Sequence, residues 1–151
     1  MATIPGNPPG TRSAADEERA AEALWRLQKS GIRITGPRRR IAEMLLGHPQ
    51  HRSAEQVTEA LRAAGIRVSR ATVYNTLHLF AAHGLLRELA VDARRSWFDS
   101  NTGAHHHFHD VASGRLADLA PGEVQFARLP AAPEGMEVEG IDVMIRLRPK
   151  A

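Results

Sequence analysis

The apolar residues of this chain change their spacing once along its length, and that change limits the fold more than any other feature. Ala20, Ala23, Leu24 and Leu27 recur at the i, i+3, i+4, i+7 spacing of one helical face. Helical spacing returns in Ile41, Met44 and Leu45, in Val57, Ala60, Leu61 and Ala64, and in Val73, Leu77, Phe80 and Ala81. Beyond these it gives way to short strand-like runs, and Ile141, Val143, Ile145 and Leu147 alternate at period 2. Helices that precede strands, rather than alternating with them, predict an α+β chain.

The start of the chain, residues 1–15, is rich in Pro, Gly, Ser and Thr and reads as a disordered tail. A first helix, "ADEERAAEALWRLQKSG", ends at Gly31. A second begins at Pro37, whose missing N–H costs nothing in a first turn, and stops at Gly47-His48-Pro49. Ser53 and Gln56 form a capping-box pair for the third. Ser69 caps a fourth, "RATVYNTLHLFAAHG", with Val73, Leu77, Phe80 and Ala81 inward and Arg70, Thr72, Asn75 and Thr76 outward. The outward set can hydrogen-bond to base edges or phosphates. Two short helices across the turn "GIRV" make a helix-turn-helix, and the strand-like segments "LLRELAVD" and "RRSWFDSN" complete the winged-helix order. The expected division is a winged-helix DNA-binding domain over residues 16–100 and a small α/β, mostly β, dimerisation and metal- or haem-sensing domain over residues 101–151. In the second, "HHHFHDVASGRLADL" forms a hairpin around Ser113-Gly114. A few strands bury little surface alone, so a homodimer is expected.

The formal net charge of +3 conceals an asymmetry: residues 29–99 hold twelve Lys/Arg against six Asp/Glu, and both flanks are net negative. A basic middle suits a phosphate backbone, although a solvated surface also carries such charge. Taken with the order of elements, it points to double-stranded DNA as the partner. No run reaches the roughly 18 apolar residues needed to span a bilayer, and no signal-peptide segment opens the chain, so a cytoplasmic protein without a membrane partner is expected. The chain has no cysteine, which excludes disulfides, zinc ribbons and iron–sulfur clusters. Any metal must be held by nitrogen and oxygen.

Four of the eight histidines fall within "HHHFHD", His105 to Asp110. In a strand, His105, His107 and His109 share one face, and His106, Phe108 and Asp110 the other. Two imidazoles at i and i+2 can bind one cation, which needs further ligands. Asp99 at the end of the wing, Asp118 on the returning strand and His51 before the third helix can supply them if the hairpin folds back. This donor mix suits iron(II), manganese(II) or zinc and does not choose among them. A solvated polar loop is the simpler alternative. A non-haem metalloenzyme is the remote one: no histidine follows His109 to complete a hydrolase or oxygenase set, and there is no Gly-rich phosphate loop. His48, His78 and His83 read as ordinary surface or packing residues.

The segments "GIRITGPRRRIAEML", "HRSAEQVTEALRAAG", "SRATVYNTLHLF", "FDSN" and the His-rich strand, in this order over about residues 17–148, resemble the ferric uptake regulator (Fur) superfamily. The resemblance implies a homodimeric transcription regulator that binds AT-rich palindromic operators, with regulatory metal at the junction of its two domains. Its metal site falls on His51, Asp99, His105, His107 and Asp118. Its recognition-helix tyrosine matches Tyr74 and its minor-groove basic residue Arg33, so the expected DNA-facing set is Arg33, Arg38, Arg70, Thr72, Tyr74 and Asn75. Most members carry a C-x-x-C for structural zinc; here those positions are Asp110 and Ser113, and that site is absent. The triple histidine, the missing cysteines and the ending "PEGMEVEGIDVMIRLR" look like the iron response regulator (Irr) branch. An Irr-like repressor releases DNA when haem binds, with His105, His106 and His107 as candidate haem ligands. The alternative is a conventional Fur-like corepressor that requires Fe(II) or Mn(II).

Overall fold

A computed structural model describes residues 13–151. Most of the expected tail, residues 1–12, lies outside the described residues. Four helices come first: α1 (Ala14–Lys29), α2 (Gly36–Leu45), α3 (Ala54–Ala63) and α4 (Arg70–Ala82). A short strand, β1 (His51–Ser53), precedes α3, and β2 (Arg87–Leu89), β3 (Trp97–Asp99), β4 (His107–Asp110), β5 (Leu116–Asp118) and β6 (Met144–Leu147) follow α4. This is an α+β fold, a winged helix followed by a β domain. Among the described residues no helix is long and apolar enough to cross a membrane.

Local chemistry sets the helix ends. Ser13 caps α1 through a reciprocal pair with Asp16, so the helix starts inside the segment expected as tail. Ser53 and Gln56 make the same box for α3, with bonds of 3.0 and 3.2 Å. Ser69 Oγ accepts from the Thr72 N–H at 3.1 Å to open α4. α2 begins at Gly36, one residue before its proline. Beyond its end, a Cβ on Gly47 would lie 2.6 Å from the Arg19 carbonyl oxygen, so glycine lets the chain pass close to α1.

The helical core joins Leu27 of α1, Ile41 and Leu45 of α2, Val57 and Leu61 of α3, and Val73, Leu77 and Phe80 of α4, with Phe98 of β3 beneath them. Each such side chain contributes about 1.5–3 kcal/mol on full burial. Thr76 corrects the expected outward face, since it is buried at 4 % exposure. It lies three residues after Val73 and four before Phe80, so helical geometry places it among them. Ala64, expected on the α3 stripe, caps that helix and is exposed. Arg26 ties the bundle together, donating to the carbonyls of Leu46, Leu85 and Ser100 at 3.0–3.3 Å.

The strands form two sheets, ordered β1-β3-β2 and β5-β4-β6. The first is antiparallel and pairs both His51 and Arg87 with Asp99. In the second, β4 and β5 form the expected hairpin with His107 opposite Asp118, and β6 returns parallel to β4. The period-2 strand is shorter than the alternation from Ile141 suggests, and Ile145 and Leu147 are exposed. Leu89, Val91 and Trp97 of the wing pack against Leu116 and Met144, which brings the two sheets together. In residues 101–151 the described structure contains strands and turns but no helix.

Candidate metal centre

The sheet contact assembles the five residues expected to bind metal. His51, Asp99, His105, His107 and Asp118 each offer one atom, all within 4.8 Å of one another. The Asp99 Oδ1 accepts from the Asn101 N–H at 2.8 Å, which leaves Oδ2 to face the imidazoles. That oxygen lies 2.7 Å from His105 Nε2, 3.0 Å from His107 Nε2 and 3.4 Å from His51 Nε2. On the other side, Asp118 Oδ1 is 2.6 Å from His51 Nε2 and 3.4–3.5 Å from the other two. Asp99 and His107 are buried, at 0 and 2 % exposure.

Three features of this cluster fit a cation. His105 Nδ1 donates to the Gly103 carbonyl at 2.7 Å, so in the neutral ring Nε2 carries a lone pair. That lone pair faces the Asp99 carboxylate, a repulsive contact unless a proton or a metal ion stands between them. His51 Nε2 is buried without an aligned hydrogen bond despite its closeness to Asp118. Finally, ligands about 2.1 Å from an ion stand at most about 4 Å apart, so the donors need only a small contraction. Two carboxylates balance a divalent charge, and three imidazoles and two oxygens suit iron, manganese or zinc.

The electrostatics agree. Burial alone would raise the Asp99 carboxyl, but the hydrogen bonds from His107 and the Asn101 N–H, with the charge of the nearby His51, hold it well below the usual range. Burial would lower His51; Asp99 and Asp118 overcome it and raise this imidazole above its ordinary 6.5. His51 thus holds its proton more tightly than a free imidazole does, and Asp99 stays a carboxylate beside it.

The other histidines are used differently. His106 Nδ1 accepts from the Val143 N–H at 3.2 Å, and its ring lies edge-on to Phe126, so it fastens β4 to the segment before β6. His109 is buried, and its Nδ1 has no partner among the described residues. The cleft beside the cluster, lined by His51, Arg95, Trp97 and Arg115 among others, has a volume of about 230 Å³. Pockets for larger organic ligands run to about 300–1,000 Å³, and with His107 buried and His106 engaged this geometry gives no support to a haem site.

The expected DNA-facing residues do not form one hydrogen-bonded set. Arg33, Arg70 and Asn75 are exposed. Arg38 donates to the Arg33 carbonyl at 2.8 Å and so braces the loop before α2. Thr72 accepts from the Ser69 hydroxyl. Tyr74 is half-buried and donates its hydroxyl to Glu55 at 2.6 Å. Sequence reasoning overlooked Glu55, because an acid in a first helical turn reads as a simple dipole contact.

The family model described as the ferric uptake regulator family matches residues 29–146. The chain is 36 % identical over 118 residues to the peroxide operon regulator of Bacillus subtilis, covering 78 % of this chain and 81 % of that one. The peroxide-responsive repressor PerR of Staphylococcus epidermidis is 34 % identical over 98 residues, 65 % of each chain. Among solved structures, the ferric uptake regulator from Pseudomonas aeruginosa with manganese superposes with a TM-score of 0.65 at 30 % identity, over 85 % of this chain and 98 % of that one. This chain therefore belongs to the ferric uptake regulator family, whose members are metal-responsive transcription regulators.

Proposed function

We propose that this chain is a homodimeric repressor whose grip on AT-rich palindromic DNA depends on a divalent ion held by His51, Asp99, His105, His107 and Asp118. The observation that carries this reading is that the donors come from both sheets. His51 and Asp99 stand on the first, His107 and Asp118 on the second, and His105 just precedes β4. An ion there supplies a charge that draws the two sheets onto one centre. The chain's own residues then fix the angle at which the winged helix leaves the β domain. In a dimer that angle sets whether two recognition helices reach half-sites on one DNA face. Arg33, Arg38, Arg70, Thr72, Tyr74 and Asn75 are the residues proposed to meet the DNA.

The signal that relieves repression admits two readings. The relatives at 34–36 % identity are named for peroxide, which favours oxidation of a bound Fe(II) as the trigger. Irr-like release by haem on His105, His106 and His107 is the other, and it must displace the contacts of His105 and His107 with Asp99. A gel-shift titration on a duplex selected by this chain tests both. Mn(II) or Fe(II) is expected to restore binding lost in chelator, and peroxide to abolish only the Fe(II)-dependent part. Release by haem from the Mn(II)-loaded protein would instead establish the Irr-like reading, and binding indifferent to metal would remove both.

A further inference from the structure

Glu55 is an acidic residue beside α4, the helix proposed to read DNA, where a carboxylate opposes phosphates. It stands in the first turn of α3, and its Oε1 accepts the Tyr74 hydroxyl at 2.6 Å. That is the length of a charge-assisted O–H···O⁻ bond. Its Oε2 is buried with no hydrogen-bond partner among the described residues, so this is no solvated surface acid. The bond to Tyr74 holds the Glu55 carboxyl below its ordinary range and is the main cause that raises the phenol above its own, so the proton stays on Tyr74. The α3 N-terminus and the positive charge of Arg70 offset the cost of the carboxylate.

Tyr74 packs against the helical core while its hydroxyl is directed to Glu55. Its only donor is therefore used on Glu55, Arg70 engages the oxygen of the same hydroxyl, and the surface left for recognition is the apolar ring. We propose that Glu55 is a positioning residue for DNA readout: by anchoring the Tyr74 hydroxyl it fixes the ring to read thymine methyls by contact. The proposal rests on the assignment of Tyr74 to the DNA interface.

The test uses the full Mn(II)-loaded chain, a duplex it selects from a random pool, and the same duplex with single thymines replaced by deoxyuridine. Loss of a contacted methyl should weaken wild-type binding about fourfold. Tyr74→Phe, which removes only the hydroxyl, and Glu55→Ala should each reduce that discrimination to below about twofold, and the double variant no further. Glu55→Gln, which keeps an acceptor, should retain it. Far-ultraviolet circular dichroism reports whether each variant folds, and Tyr74→Phe tests the same bond if Glu55→Ala does not. The proposal is overturned if Tyr74→Ala loses the discrimination while Glu55→Ala and Tyr74→Phe keep it, or if Glu55→Ala merely tightens binding to every duplex alike. Discrimination that survives Tyr74→Ala, or is absent from the wild type, removes the Tyr74 contact as well.

Discussion

His51 and Asp99 face each other across the β1–β3 ladder, and the Nε2 of the first lies 3.4 Å from the Oδ2 of the second. Three residues of strand are enough to carry His51 to a cluster whose other imidazoles lie more than fifty positions along the chain. A metal ion on this cluster therefore clamps non-local pairings, and its removal should be felt as lost stability. At a Mn(II) concentration about 100 times its dissociation constant, the ion should add about 2.7 kcal/mol. Urea unfolding with Mn(II) and with chelator measures it, and the difference should vanish in a His105→Ala, His107→Ala variant that still folds.

The pH dependence should change sign with metal. His51 is raised above 6.5 in the metal-free fold, so its contribution is fully present below 6.5 and declines as pH rises through the higher folded value. Asp99 is lowered, so its contribution is present above 3.8 and fails only in strong acid. As pH rises above 6.5 the metal-free protein should thus lose stability. The Mn(II)-loaded protein should gain, because ligation needs unprotonated imidazole. Parallel slopes in thermal melts over that window would refute the assignment.

Arg26 offers a test of the scaffold apart from the metal. Its guanidinium serves three carbonyls, at the ends of α2 and α4 and just beyond β3. Arg26→Ala should cost about 3 kcal/mol, since partly buried acceptors are left without donors. Equilibrium unfolding reads the loss, and Mn(II) affinity of the folded fraction should stay within about twofold.

Gly47 gives a sharper steric prediction. A methyl there meets the Arg19 backbone at 2.6 Å, whereas one on Gly140 meets nothing within 4 Å. Gly47→Ala should destabilise by about 1–3 kcal/mol and Gly140→Ala by little, as compared by denaturant midpoints.

These residues also mark what the sequence could reveal. The Ser53–Gln56 box announces α3 because both partners lie within one helical turn, and Gly114, with φ 72°, closes the hairpin expected at Ser113-Gly114. The five-donor cluster was legible because a divalent ion needs several ligands and few His or Asp residues flank the His-rich strand. β1 was not, because three residues show no alternation and exist as a strand only through pairing with β3. Thr76 was misread from its polarity, although its spacing from Val73 and Phe80 indicated burial. The Tyr74–Glu55 bond crosses two helices and leaves no local pattern. The use of His106, a candidate haem ligand by its place in the triple histidine, was hidden because its Nδ1 takes its donor, the Val143 N–H, from the distant return of the chain before β6.

In the function proposed above, the ion at the sheet junction and the DNA are coupled through one hinge. Such coupling is reciprocal: whatever factor metal adds to DNA affinity, DNA must add to metal affinity. The direct measurement is calorimetric titration of Mn(II) into the chain, alone and saturated with its selected duplex. The duplex should tighten Mn(II) binding by about tenfold or more, and His51→Ala should abolish the gain. An Mn(II) affinity unchanged by the duplex, with wild-type metal fully bound in both titrations, would contradict this coupling.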